Sequence, residues 1–137
     1  MVLHHSVIEF RDRLFGYAKA DSIPLPALRE ELLVLHHGIK DEESRIELMR
    51  LFNIIADLLE AHLVREGQNL DGFRMHRRGQ IWAFLRAESL VDGEIDRARI
   101  RYVTERELAA GRLDETDEIR RYALGDDHAF DSYQWLH

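Results

Sequence analysis

The chain contains no cysteine. That absence excludes disulfide frameworks, thiolate metal ligands and cysteine nucleophiles, and it fits the cytoplasmic location expected here. Lysine is nearly absent as well: of 19 basic residues only Lys19 and Lys40 are not arginine. An arginine bias favours planar, bidentate contacts over simple point charge. No apolar run approaches the ~20 residues that a membrane span needs. The opening residues MVLHHSVIEFRDR lack a basic start, a long apolar segment and a small-residue cleavage site, so no secretory signal is expected there. Gly67, Gly72 and Gly79 do not form a phosphate-binding loop, and no serine sits in a Gly-x-Ser-x-Gly elbow. Asp126, Asp127, His128 and Asp131 are hard-ligand types, but without the spacing of an EF-hand they read as a solvated acidic turn.

What is present describes an acidic, globular, helical protein. The 137 residues are expected to form a single helical domain, 45% apolar and 33% charged. The net charge of -7 is unevenly spread. Residues 1–73 carry 8 basic and 13 acidic side chains, and residues 74–106 carry 8 arginines against 5 acids. An acidic whole argues against general nucleic-acid binding, which leaves the middle third as the place where it would lie.

Periodicity predicts an all-α fold, a bundle of five or six helices around a long central helix at about 42–66. Ser6 and Glu9 form a capping box ahead of Val7, Phe10, Leu14 and Tyr17. Pro24 and Pro26 break the chain, and Pro26 suits the first turn of a second helix lined by Leu28, Leu32 and Leu35 and stopped by Gly38. Asp41, Glu42 and Glu43 open the long helix, about 37 Å at 1.5 Å per residue. Its two apolar stripes are Leu48, Leu51, Ile55, Leu58, His62 and Ile46, Met49, Phe52, Ala56, Leu59, Leu63. A helix so apolar is wrapped by neighbours or by a second subunit, which makes it the expected spine and a candidate homodimer contact. A fourth helix is expected at about 73–89, with Ile81, Trp82, Phe84 and Leu85, followed by a turn at Asp92-Gly93. Residues 94–110 read as helix, with a small β-element near 97–103 as the competing reading, because Arg97, Arg99 and Arg101 alternate with Ala98, Ile100 and Tyr102. A short helix is expected from Asp114 to Leu124. Residues 126–137 form an aromatic tail whose Phe130, Tyr133 and Trp135 are expected to dock.

His62 and Glu66 lie one turn apart at the end of the long helix, within the string LLEAHLVREG. That string resembles the second helix of hemerythrin-type iron bundles. The resemblance covers about ten residues and implies a further His-x-x-x-His on the next helix, where this chain has His76 and then Gln80. It also implies a His and an Asp on the last helix, where Asp126, Asp127, His128 and Asp131 are the available residues. The plainer reading of His62 and Glu66 is an ordinary helix-end pair. His36 and His37 likewise suit carbonyls in the last turn of their helix.

The expected function is that of a small acidic, non-enzymatic protein–protein interaction or regulatory protein: an adaptor, inhibitor, chaperone or immunity-type partner. No cofactor is expected. The expected contact residues are Arg74, Arg77, Arg78, Phe130, Tyr133 and Trp135, because arginine and aromatics dominate interface energetics. Two alternatives stand beside it. One is a metal-binding helical bundle using His62, Glu66 and His76. The other is a helix-turn-helix-like DNA-binding regulator using residues 73–101, in which Trp82, Phe84 and Leu85 would still demand burial.

Overall fold

A computed structural model describes residues 2–19 and 23–113, together with residues 121 and 128. The expected short helix at 114–124 and the aromatic tail at 126–137 fall outside the described residues, save for those two positions. The described chain is mostly helical and runs α1 (His5–Lys19), α2 (Leu25–Gly38), α3 (Glu42–Arg65), α4 (Asp71–Glu88), β1 (Leu90–Val91), β2 (Glu94–Ile95) and α5 (Arg97–Ala109). Its contacts gather into two compact units, Met1–Phe73 and Arg74–His137.

In the first unit α1, α2 and α3 pack on one another. Val7, Phe10 and Leu14 recur at helical spacing on α1 and are fully buried, whereas Tyr17, the next residue of the expected stripe, is exposed. Helix α1 begins one residue before Ser6. His4 Nδ1 accepts a hydrogen bond from Ser6 N at 3.2 Å. The backbone N–H of His4 donates to Ser44 Oγ at 2.9 Å, which ties the start of α1 to the start of α3. On α2 the buried row is Leu25, Leu28, Leu32 and His36. His36 therefore takes the core position that the sequence reading gave to Leu35, which is half-buried. Gly38 is the last helical residue rather than the stop, and extended Ile39 closes the helix through N–H to Leu35 O at 2.9 Å.

Asp41 caps α3 by accepting from Ser44 N at 3.0 Å, the favoured role of a short acidic side chain at the positive end of a helix. Arg45 is buried and donates from Nε to Ile39 O at 2.7 Å, holding the short α2–α3 connection. Leu48, Met49, Leu51, Phe52, Ile55 and Ala56 are all buried, each large side chain among them stabilising by about 1.5–3 kcal/mol. Beyond Ala56 the helix emerges. Leu58, Leu59 and Leu63 are half-buried, His62 is exposed, and Val64 is 58% exposed. Gly67, at φ 69°, ends the helix with Gln68 N bonded to Leu63 O and Gly67 N to Val64 O. That pair of bonds is the Schellman arrangement, and its left-handed position suits glycine.

The second unit contains α4 from Arg74 onward, a hairpin and α5. The β-element lies at 90–95, not at 97–103. Asp92 and Gly93 adopt φ values of 53° and 81°, the two positive angles of a type I′ turn, whose twist matches that of paired strands. Leu90 pairs with Ile95 and Val91 with Glu94. Asp96 then accepts from Arg99 N at 2.8 Å and starts α5. The alternation at 97–102 is a by-product of helical spacing, because the buried residues of α5 are Ile100, Val103, Thr104 and Glu107, at i, i+3, i+4 and i+7.

Candidate functional site

Helices α4 and α5 both carry four arginines against two acids, and α4 concentrates three of its arginines in its first two turns. Its arginines are Arg74, Arg77, Arg78 and Arg86, and its acids are Asp71 and Glu88. Arg74, Arg78 and Arg86 are exposed and Arg77 is half-buried. Glu88 is buried, so the exposed charges of α4 are Asp71, Arg74, Arg78 and, three turns from Arg74, Arg86. Arg74 and Arg78 stand one turn apart, beside Met75, which is 46% exposed. Farther along the helix the same side is apolar: Ile81, Trp82, Phe84 and Leu85, one or two turns beyond Arg77 and Arg78, are all buried. The expected cluster Arg74, Arg77 and Arg78 thus lies in the first two turns of α4, ahead of its buried stretch, with Arg74 and Arg78 exposed and Arg77 half-buried.

Glu88 is turned inward by a compact set of charges that the sequence reading did not pick out. Arg106 Nη2 donates to Glu88 Oε2 at 2.9 Å and to Glu107 Oε1 at 2.8 Å, and Arg106 Nε donates to Glu107 Oε1 at 3.0 Å. Arg112 Nε donates to Glu107 Oε2 at 2.5 Å. Gly111, at φ 73°, reverses the chain after α5, with Arg112 N bonded to Glu107 O, and so aims Arg112 back at Glu107. Burial opposes the charge on Arg106, but the carboxylates of Glu88 and Glu107 outweigh it and raise the pKa above the usual arginine value. The carboxylate oxygens are engaged by guanidinium N–H groups, which makes this cluster a lock between α4 and α5 rather than an acid–base pair. A sequence signal for it did exist. Glu107 continues the apolar row Ile100–Val103–Thr104, and a carboxylate in a buried row demands a cation. Glu88 and Arg106, 18 residues apart, carry no such local signal.

The second unit has further exposed groups. Tyr102 is 48% exposed, with the Arg99 guanidinium 5.2 Å from its ring centroid. Arg99 Nε also donates to Glu88 O at 3.4 Å, and Ser89 Oγ donates to Leu85 O at 2.6 Å, so two side chains satisfy the last carbonyls of α4.

The expected metal ligands are placed as follows. His62 and Glu66 are exposed at the end of α3, and Glu66 caps it through N–H to His62 O at 3.0 Å. His76 is half-buried on α4, its Nε2 3.4 Å from Gln80 Nε2. His62 and Glu66 belong to the first unit and His76 to the second. Among the described residues no three His, Asp or Glu side chains converge as a metal-binding group. Phe130, Tyr133 and Trp135 lie outside the described residues. No described helix is long and apolar enough to cross a membrane. No family model, curated protein or solved structure matches the chain.

Proposed function

We propose that this chain is a non-enzymatic protein-interaction or regulatory module that engages an acidic partner protein through the first two turns of α4. The supporting observation is the charge of those turns: Arg74 and Arg78 are exposed, with half-buried Arg77 between them, against the single carboxylate of Asp71. The expected contact set is Arg74, Arg77 and Arg78 with Phe130, Tyr133 and Trp135, aromatics supplying apolar area beside arginine forks. Complementary charge of this kind mainly gives fast and selective association. Dimerisation through the distal turns of α3 belongs to the same proposal, since Leu58, Leu59, Leu63 and Val64 retain accessible apolar surface there.

The DNA-binding reading draws on the same arginines and is separated by the same experiment. Wild-type chain and the Arg74→Glu/Arg78→Glu variant are used to capture proteins from host extract, and both are titrated against random duplex DNA at low salt. The proposal expects a protein captured by wild type and lost with the variant, and no DNA binding at micromolar chain. Equal capture by both, or arginine-dependent DNA binding without a captured protein, contradicts it.

A further inference from the structure

Helix α1 starts on a histidine cap. His4 stands immediately before its first residue, His5, in the position usually held by Ser, Thr, Asp or Asn. Its Nδ1 accepts from Ser6 N at 3.2 Å, the bond that a short oxygen-bearing side chain normally gives to the second amide of a helix. A backbone N–H only donates, so the bond exists only while Nδ1 carries no proton and the neutral ring holds its proton on Nε2. The His5 ring stacks on that of His4, with centroids 4.5 Å apart and planes 24° from parallel. Both imidazoles are exposed. The backbone N–H of His4 donates to Ser44 Oγ at 2.9 Å, and Ser44 N donates to Asp41 Oδ2 at 3.0 Å. One serine thus joins the cap of α1 to the cap of α3. Asp41 feels the charge of His4, which is among the groups that hold its carboxyl below 3.8.

We propose that His4 is a pH-sensitive cap at the junction of α1 and α3: neutral, it closes the first turn of α1; protonated, it releases Ser6 N and turns to the carboxylate of Asp41. Both ring nitrogens of an imidazolium are donors, so Nδ1–H would face Ser6 N–H, donor against donor. The positive end of α1 also opposes the charge, and so does the stacked His5 ring once it is protonated. The charged and titratable groups on the elements packed against His4 are His5 and Glu9 on α1, and Asp41, Glu42 and Glu43 at the start of α3. Lys40, next to Asp41 in sequence, donates from Nζ to His37 O. The carboxylates favour the imidazolium and offer it an acceptor that the capping position lacks. Val7, the first fully buried residue of α1, directly follows the capped amide. The loosening stops there, because Phe10 and Leu14 anchor the following turns in the core.

The test is a titration of the isotope-labelled full chain by NMR from about pH 8 to about pH 5, the range in which histidine changes charge. At the upper end the His4 ring is expected to be protonated on Nε2 alone. As the ring titrates, the Ser6 amide signal is expected to move along the same curve. Its protection from exchange, corrected for the intrinsic pH dependence, is expected to fall by about two- to thirtyfold, the range of a lost helix cap. His4→Asn keeps a capping oxygen and does not titrate, so its Ser6 signal is expected to stay constant. In the same variant the Asp41 carboxyl is expected to titrate nearer 3.8, having lost a neighbouring cation. His5→Gln is expected to retain the Ser6 response.

A His4 ring protonated on Nδ1 at the upper end overturns the proposal, as does a Ser6 amide that ignores the His4 titration; neither result needs a variant. A Ser6 response that persists in His4→Asn, or that vanishes in His5→Gln, overturns it by assigning the titration to another group. An Asp41 carboxyl that titrates alike in wild type and His4→Asn overturns it by removing Asp41 as the acceptor of the protonated ring. None of these outcomes involves Arg74 or Arg78, so failure of the cap and failure of the α4 contact are separate results.

Discussion

Arg106 Nη2 lies 2.9 Å from Glu88 Oε2, joining the last residue of α4 to the last turn of α5. The pair does two things. It removes the second carboxylate of α4 from the solvent. It also fixes α5 against the end of α4, where backbone contacts between the two helices are few.

Breaking that pair from one side is expected to destabilise strongly. Arg106→Leu removes a guanidinium from two buried carboxylates, of which Glu107 keeps Arg112, and Glu88→Leu leaves the half-buried Arg106 guanidinium with one fewer partner; each is expected to cost about 1.5–3 kcal/mol. Glu88→Leu with Arg106→Leu leaves Glu107 paired to Arg112 and is expected to cost less than the sum of the single changes. Urea denaturation of the four proteins measures this. Losses below about 1 kcal/mol for both single variants would show that the charges are better hydrated than their burial implies.

Stability along α3 is expected to fall off sharply with position. Leu48→Ala and Leu51→Ala remove fully buried side chains and are expected to cost about 2–5 kcal/mol. Val64→Ala, at a residue 58% exposed, is expected to stay within about 0.5 kcal/mol in dilute protein and to cost more at concentrations where α3 dimerises. Equal losses at both ends, from the same denaturation curves, would mean that the distal turns are covered in solution, as dimerisation through α3 requires.

The cap of α3 gives a pH dependence of known sign. Hydrogen bonding from Ser44 lowers the pKa of Asp41 below its ordinary 3.8, outweighing the small cost of burial. A depressed carboxyl pKa contributes stability that is fully present above 3.8 and is lost as pH falls through the folded value. Asp41→Ala is expected to cost about 0.5–2 kcal/mol near neutrality. The wild-type advantage over Asp41→Ala is expected to shrink steadily below pH 3.8. A difference that does not change with pH would show that the cap acts without its charge.

The hairpin makes a fourth, local prediction. Gly93 sits at φ 81°, where a β-carbon is strained, so Gly93→Ala is expected to cost about 1–2 kcal/mol. Nothing lies within 4 Å of a β-carbon built there, so the loss reports backbone conformation alone. Asp92→Gly at the neighbouring positive φ of 53° is expected to be neutral or mildly stabilising. Thermal unfolding of both variants decides it, and a stable Gly93→Ala would remove the type I′ assignment.

Local chemistry was readable and long-range chemistry was not. The ends of α3 were legible because Asp41 and Gly67 act within one turn of themselves, and the Asp92-Gly93 turn because that dipeptide tolerates positive φ. The extent of α1 was legible and its cap was not, since a histidine rather than Ser6 supplies the bond to a free N–H of the first turn. Arg–apolar alternation at 97–102 imitated a strand, and only the buried row ending at Glu107 shows that the helical period governs. The apolar stripe of α3 predicted burial along its whole length, yet burial ends near Ala56, because sequence records which residues are apolar and not where their neighbours stop. At the candidate site Arg74, Arg77 and Arg78 stood out by composition. That the end of α4 exposes no acid depends on Glu88 pointing inward, a fact set by a residue 18 positions away.

The most direct measurement is the salt-dependent affinity of the full chain for the captured partner, compared between wild type and Arg74→Glu/Arg78→Glu by fluorescence anisotropy. The account predicts that wild-type affinity falls steadily with added salt, and that the variant loses at least about tenfold, equivalent to about 1.4 kcal/mol, with a flatter salt response. Equal affinities and parallel salt curves for the two proteins would contradict the assignment of α4 as the contact face.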